Sequence, residues 1–125
     1  MTTTDKRELA ERKWHEGSAL EDAGEIAQAI RVYRIGAKLG SDSAQNNLAN
    51  LLDDYATPRR PAEAVYWYKR AARQGHDTAA ENLAVHYRNL GKTRWQKHWL
   101  AVAAKMGNRD AAKELRVLER RQSRR

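Results

Sequence analysis

Apolar residues recur every three or four positions along most of the chain, which is the spacing of one face of an α-helix. Two stretches make the pattern clear, and their apolar residues are Ala44, Leu48, Leu51 and Leu52 in one and Ala80, Leu83, Ala84 and Tyr87 in the other. Polar breaks rich in proline or glycine, "DDYATPRRP" and "NLGK", follow these stretches, and a second helical stretch follows each break. The pattern therefore predicts an all-α protein built of helical hairpins.

A short phrase of related sequence occurs three times. It reads Gly-x-x-x-Ala-x-x-x-Leu from Gly40, Gly75 and Gly107, so the repeats are 35 and 32 residues apart. A pair of small residues precedes each glycine, and the pairs are Gly36-Ala37, Ala71-Ala72 and Ala103-Ala104. Repeats with periods of 20–50 residues are typical of stacked hairpins that bury a core only together.

The repeat predicts one domain over residues 1–125 with about seven helices. We expect three hairpins at about 5–40, 41–75 and 76–107, a capping helix at about 108–120 and a basic tail at 121–125. The capping helix loses its apolar face after Leu118, as a terminal helix does when it turns a polar side to water. Short polar side chains favour Asp42, Asp77 and Asn108 as helix N-caps, and Gly75 favours a left-handed helix end.

The central unit resembles the Sel1-like repeat, a relative of the tetratricopeptide repeat. The matching residues are Ala64, Trp67, Tyr68, Ala71, Ala72, Gly75, Ala79, Leu83, Ala84 and Tyr87, and the resemblance extends over about residues 8–118. Two features depart from the family pattern: "DDYATPRRP" replaces its glycine-rich loop, and Gln96 occupies a slot that Ala29 and Ala64 hold elsewhere. The resemblance implies a right-handed α-solenoid whose first helices line a concave groove, and it implies protein contacts in place of catalysis.

Composition excludes several classes of chemistry. The 125 residues include no cysteine, so disulfides and thiolate catalysis are absent, and the four histidines lack the spacing of a zinc site. No glycine-rich phosphate loop occurs. We therefore predict no enzymatic activity, no cofactor and no bound metal. A polar N-terminus and the lack of an apolar run of about 20 residues predict a cytoplasmic protein with no signal peptide and no membrane segment.

The tetratricopeptide-like register places certain positions of each first helix on the concave face. The candidate partner-binding residues are Trp14, Glu21, Asn46, Asn50, Asp53, Glu81, Val85, Arg88, Lys113 and Arg120. They are acidic towards the N-terminus and basic towards the C-terminus. Asn46 and Asn50 lie one turn apart and could bind a peptide backbone through paired hydrogen bonds. Trp14 has two interpretations, a binding anchor or a plug at the end of the core.

These residues favour a protein-interaction module: an adaptor, regulator or inhibitor that binds a protein or peptide with an acidic patch. Small bacterial members of the family suggest one alternative, an immunity protein that neutralises a cognate toxin. The formal charge of +8 leaves a second alternative open, nucleic-acid binding through the C-terminal arginines, which are Arg116, Arg120, Arg121, Arg124 and Arg125. Self-association is a third.

The tryptophans of the second helices divide into two kinds. Trp67 and Trp99 occupy equivalent slots eight residues before a glycine of the repeat, which favours packing between repeats. Trp95 has no counterpart in the other repeats. It is therefore the candidate for a second binding surface or a dimer contact.

Overall fold

The computed structural model describes residues 1–56 and 58–124. Over these residues the chain forms seven α-helices and no strand, which confirms the predicted all-α class. The helices are α1 (Thr3–Asp22), α2 (Ile26–Lys38), α3 (Asp42–Asp54), α4 (Pro61–Arg73), α5 (Asp77–Asn89), α6 (Thr93–Lys105) and α7 (Arg109–Ser123).

The helices form two compact units. The N-terminal unit, Met1–Gln74, contains α1 to α4, and the C-terminal unit, Gly75–Arg125, contains α5 to α7. Within the N-terminal unit each helix packs on the next, and α1 also touches α3. Within the C-terminal unit α6 packs on both α5 and α7. The division falls at the predicted end of the second hairpin.

Two of the three predicted helix N-caps are wrong by one residue. The cap of α3 is Ser41, whose Oγ accepts a hydrogen bond from the Ala44 amide at 3.0 Å. The cap of α5 is His76, whose Nδ1 accepts from the Ala79 amide at 3.1 Å. Asp42 and Asp77 are instead the first helical residues, where a carboxylate is stabilised by the positive end of the helix dipole.

Two other predictions about the helix ends have clear outcomes. Asn108 caps α7 as predicted, since its Oδ1 accepts from the Ala111 amide at 2.9 Å. Gly75 follows α4 with a φ of +93°, the left-handed conformation that glycine adopts without strain. The helix α7 continues to Ser123, so part of the predicted basic tail is helical. Arg125 and Thr57 lie outside the described residues.

The core consists mainly of small residues between a few large ones. Alanines at the repeat positions, among them Ala44, Ala79 and Ala111, are fully buried. Close approach of helices at these alanines leaves spaces that larger side chains fill, and the largest fully buried ones are Tyr33, Leu48, Leu51, Leu52, Leu83, Leu100 and Gln45. The repeated phrases therefore mark packing positions, as the sequence indicates.

Candidate functional site

The ten candidate residues lie on α1, α3 and α5, the first helices of the predicted hairpins, and on α7, the capping helix that stands alone in a first-helix position. They differ widely in exposure. Arg88, Lys113 and Arg120 are exposed, whereas Asn46 retains only 6% of its accessible surface. The other six, which are Trp14, Glu21, Asn50, Asp53, Glu81 and Val85, are partly exposed. The binding role of all ten stays a prediction.

Two candidate side chains are held in place by buried tyrosines. The Tyr33 hydroxyl donates a hydrogen bond to Glu21 Oε1 at 2.7 Å and accepts one from Asn47 Nδ2 at 3.2 Å. The Tyr68 hydroxyl donates to Asn50 Oδ1 at 2.5 Å. Glu21 and Asn50 are thus oriented from within the N-terminal unit.

Burial and acidic neighbours change the acidity of both tyrosines. Burial raises the pKa of Tyr33 to about 12, with a further contribution from the Glu21 carboxylate. Burial also raises the pKa of Tyr68, and the negative charges of Asp53 and Asp54 act in the same direction. Both hydroxyls therefore stay protonated, and act as donors, well above neutral pH.

Sequence reasoning missed these tyrosines as positioning residues, although a signal for them exists. Tyr33, Tyr68 and Leu100 each stand seven residues before a repeat glycine, and all three are buried. In the third repeat Leu100 has no hydroxyl, and Val85 occupies the first-helix slot that Asn50 holds in the second. The hydrogen-bonded pair Tyr68 and Asn50 of the second repeat is therefore replaced by two apolar residues, Leu100 and Val85, in the third.

A second polar cluster links α2 with α4 through Glu63. Arg34 donates to both carboxylate oxygens of Glu63 at 3.0–3.2 Å, and the Trp67 indole N–H donates to it at 3.1 Å. Burial by itself would raise the pKa of Glu63, but the bonds from Trp67 and Arg34 outweigh it and lower that pKa. Trp67, only 5% exposed, is a packed residue with a satisfied indole.

In the C-terminal unit a carboxylate joins α7 to two other helices. Glu114 Oε1 accepts a hydrogen bond from Gln96 Nε2 at 3.2 Å and lies 3.6 Å from Arg88 Nη1. Gln96 is buried in a slot that alanine holds in the other two repeats. A buried amide needs a hydrogen-bond partner, and Glu114 supplies one for Gln96. Glu114 also brings one candidate residue, Arg88, against α7.

Trp14 is half buried, and its indole nitrogen is inaccessible to water. Among the described residues this nitrogen has no hydrogen-bond acceptor. The ring lies 4.6 Å from the His15 ring, measured between centroids. Its half-buried state leaves both interpretations of Trp14 open, the binding anchor and the plug.

The N-terminal unit contains several cavities, and two of them are lined by more than one helix. One of about 410 Å³ lies between the start of α1 and the α2–α3 turn, where its lining includes Lys6, Arg7 and Asp42. The other, of about 380 Å³, lies beside the α3–α4 connection and is lined by Ile26, Tyr55 and other residues. Within residues 1–56 and 58–124 there is no group of three or more histidine and carboxylate side chains arranged for a metal ion. Nor does any helix of that part of the chain have the length and apolarity to cross a bilayer.

Several solved structures resemble the chain, among them a bacterial antigen and a Sel1 repeat protein. One is the protein c5321, a protective antigen present in uropathogenic Escherichia coli strains and displaying an SLR fold, with a TM-score of 0.74, 30% identity and 85% of this chain covered. This chain spans only 25% of the length of that antigen. The other is a Sel1 repeat protein from Oxalobacter formigenes, with a TM-score of 0.64, 24% identity and coverage of 90% of this chain and 96% of the other.

No protein-family model matches the sequence, and no curated protein matches it either. The structural matches nevertheless support the family that the repeated phrases indicate, because both relatives carry the same repeat fold. The helices of the described residues and their order agree with that fold. The comparisons therefore support a Sel1-like repeat family for this chain, and its fold is that of an all-α helical repeat solenoid.

Proposed function

We propose that the chain binds a partner protein or peptide on the face lined by its first helices and acts as an adaptor, regulator or inhibitor. The Sel1-like repeat fold is in general a protein-interaction module. The observation that carries the proposal is the fixed orientation of polar first-helix side chains, since Tyr33 holds Glu21 and Tyr68 holds Asn50. A side chain that is already ordered loses less entropy when it binds.

The residues proposed to contact the partner change from acidic to basic along the chain. Glu21, Asp53 and Glu81 supply carboxylates on α1, α3 and α5, whereas Lys113 and Arg120 supply cations on α7. Asn46 keeps little accessible surface, so its contribution depends on the 6% that remains. A partner with an acidic segment opposite α7 fits this distribution. We propose the cytoplasm as the place of this interaction, because a chain without cysteine forms no disulfide and so needs no oxidising compartment.

An affinity-capture experiment followed by titration of the purified partner tests the proposal. The variant Glu81→Lys with Lys113→Glu reverses two first-helix charges and leaves the net charge unchanged. We expect the captured partner to bind this variant at least about tenfold more weakly, a change of about 1.4 kcal/mol. The matched control is Glu25→Lys with Lys38→Glu, which exchanges two exposed charges outside the first helices. Equal binding by wild type and the Glu81/Lys113 variant would contradict the proposal.

The immunity-protein role is a narrower form of the same proposal, in which the partner is a toxin. Co-expression of the chain with a toxin encoded beside it tests that form directly. Survival of the cells that depends on Glu81 and Lys113 would support it. Death of the cells despite a folded, abundant chain would exclude that toxin as the partner.

A further inference from the structure

The positive charge of the protein is concentrated in its C-terminal unit. Residues 75–125 contain 12 of the 24 lysines and arginines but only 5 of the 16 aspartates and glutamates, so this unit has a formal charge of +7. Residues 1–74 have a formal charge of +1. A field of this strength from 51 residues attracts anionic partners and raises their rate of association.

Exposed aromatic rings lie within this positive field at the start of α6. Trp95 is 47% exposed, and its ring centroid is 5.9 Å from that of His98 and 6.3 Å from that of Tyr87. The Arg94 guanidinium lies 5.8 Å from the Trp95 ring centroid, a cation–π contact. The neighbouring rings and the cation hold this tryptophan in place while leaving about half of it open to a partner.

The end of α7 extends the same surface. Lys97 Nζ on α6 donates a hydrogen bond to Gln122 Oε1 on α7, which places the last turn of α7 beside the first half of α6. Arg121 and Arg124, on either side of Gln122 in the sequence, are exposed. Helix α6 contains no acidic residue. We call this region the basic–aromatic surface, and its residues are Lys92, Arg94, Trp95, Lys97, His98, Arg121 and Arg124.

We propose that the basic–aromatic surface binds an acidic peptide segment of a partner protein, with carboxylates at its lysines and arginines and one apolar side chain against Trp95. Charge complementarity identifies the acidic chemistry, and an exposed tryptophan among cations is a typical anchor of a protein interface. The surface is centred on Trp95 of α6, away from Glu81 and Lys113 of the proposed function. It adjoins the first-helix face at α7, where Arg120, Arg121 and Arg124 line one pocket.

The contacts of Trp95 favour a peptide over a single-stranded nucleic acid. Single strands bind by stacking bases on open aromatic faces. Here Arg94 lies over the Trp95 ring and Tyr87 packs against it at an interplanar angle of 36°. Both neighbours occupy part of the ring surface that a stacked base would use, whereas an aliphatic side chain needs only the exposed part of the ring.

Fluorescence anisotropy with a defined probe tests the proposal. The probe is a fluorescein-labelled peptide of glutamates with one central leucine, titrated with the full chain at low and at physiological salt. Trp95→Ala and, separately, Arg94→Glu with Arg121→Glu should each weaken binding at least about tenfold. The second variant changes only exposed arginines, so it remains informative if Trp95→Ala folds poorly. Circular dichroism verifies the fold of each variant.

Matched controls separate this surface from general charge. Tyr66→Ala removes an aromatic ring that is 50% exposed in the N-terminal unit, and Arg31→Glu with Arg59→Glu makes the same charge change there. Both controls should bind the peptide like the wild type. Equal losses in the control and test variants would show attraction by net charge alone and would overturn the proposal.

Two further arms identify the kind of ligand. A peptide with serine in place of the central leucine should bind more weakly, and equal affinity would contradict the apolar anchor. Tighter binding of single-stranded oligothymidylate than of the acidic peptide would replace the proposal with nucleic-acid binding. The variant Glu81→Lys with Lys113→Glu should retain the peptide, so a failure of the first-helix proposal can be distinguished from a failure of this one.

Discussion

At the scale of single residues, the packing of Gly17 against Tyr33 decides how α1 meets α2. A Cβ atom added to Gly17 would lie 2.4 Å from Tyr33 Cδ1 and 2.5 Å from Cε1, too close for any carbon–carbon contact. Tyr33 is fully buried and its hydroxyl is bonded to Glu21, so the ring has little freedom to move away. The equivalent first-helix slots carry Ala49 and Ala84, so sequence comparison among the repeats does not reveal this restriction.

We expect Gly17→Ala to lower the free energy of unfolding by about 1–3 kcal/mol, because overpacking outweighs the better helix propensity of alanine. Urea unfolding followed by circular dichroism measures the loss. The informative control is the same change in a Tyr33→Leu background, which copies the Ala84 and Leu100 slots of the third repeat. The substitution should cost less there, and an equal cost in both backgrounds would contradict the proposed clash.

The buried tyrosines predict a loss of stability in alkaline solution. The usual pKa of tyrosine is about 10, and Tyr33 has a folded-state pKa of about 12. Its contribution is therefore complete below pH 10 and is lost as the pH rises from 10 through 12. Tyr68 has a raised pKa as well and acts in the same direction. The free energy of unfolding should fall less over this range in Tyr33→Phe with Tyr68→Phe than in the wild type, and parallel decreases would refute the assignment.

At the scale of helices, Asn108 connects the start of α7 to the start of α5. Its Oδ1 caps α7, and its Nδ2 donates to Asp77 Oδ2 at 3.1 Å. We expect Asn108→Ala to lower the free energy of unfolding by about 1–2 kcal/mol, since both the cap and the bridge are lost. Asn108→Ser keeps a capping oxygen without the amide donor and should cost less. Thermal unfolding of the two variants compares them; equal midpoints would mean that the cap contributes nothing.

Helix-level prediction from the sequence succeeded where local chemistry decides the outcome. Apolar spacing, glycine stops and the Asn108 cap depend on residues within a few positions of each other, and these were confirmed. The caps of α3 and α5 were predicted one residue late because serine or histidine followed by aspartate offers two candidate caps. Only the backbone turn decides that Ser41 and His76 occupy the cap positions.

At the scale of the whole molecule, the uneven distribution of charge should destabilise the folded state. The total is +8, and +7 of it belongs to the C-terminal unit. Added sodium chloride screens this repulsion. We expect the thermal midpoint to rise by roughly 2–4 °C at high salt, equivalent to about 0.5 kcal/mol. Replacing Arg121 and Arg124 with glutamine should reduce the rise, and a midpoint that falls with salt would show that ion pairs such as Arg34–Glu63 dominate instead.

The sequence by itself determined the helical class and the repeat, because both follow from the periodic spacing of small and apolar residues, and its central unit carries the residues that resemble the Sel1-like family. Only the tertiary structure decided which polar side chains are held or buried. Tyr33 bonds to Glu21, 12 positions away in the sequence, and Glu63 bonds to Arg34, 29 positions away. Glu114 contacts Gln96, 18 positions away, and also Arg88. In each case the two residues lie on different helices, which meet only after folding. Such contacts depend on how helices pack, and no local pattern encodes them. For the same reason the exposure of Trp95 and the burial of Asn46 became known only from the fold.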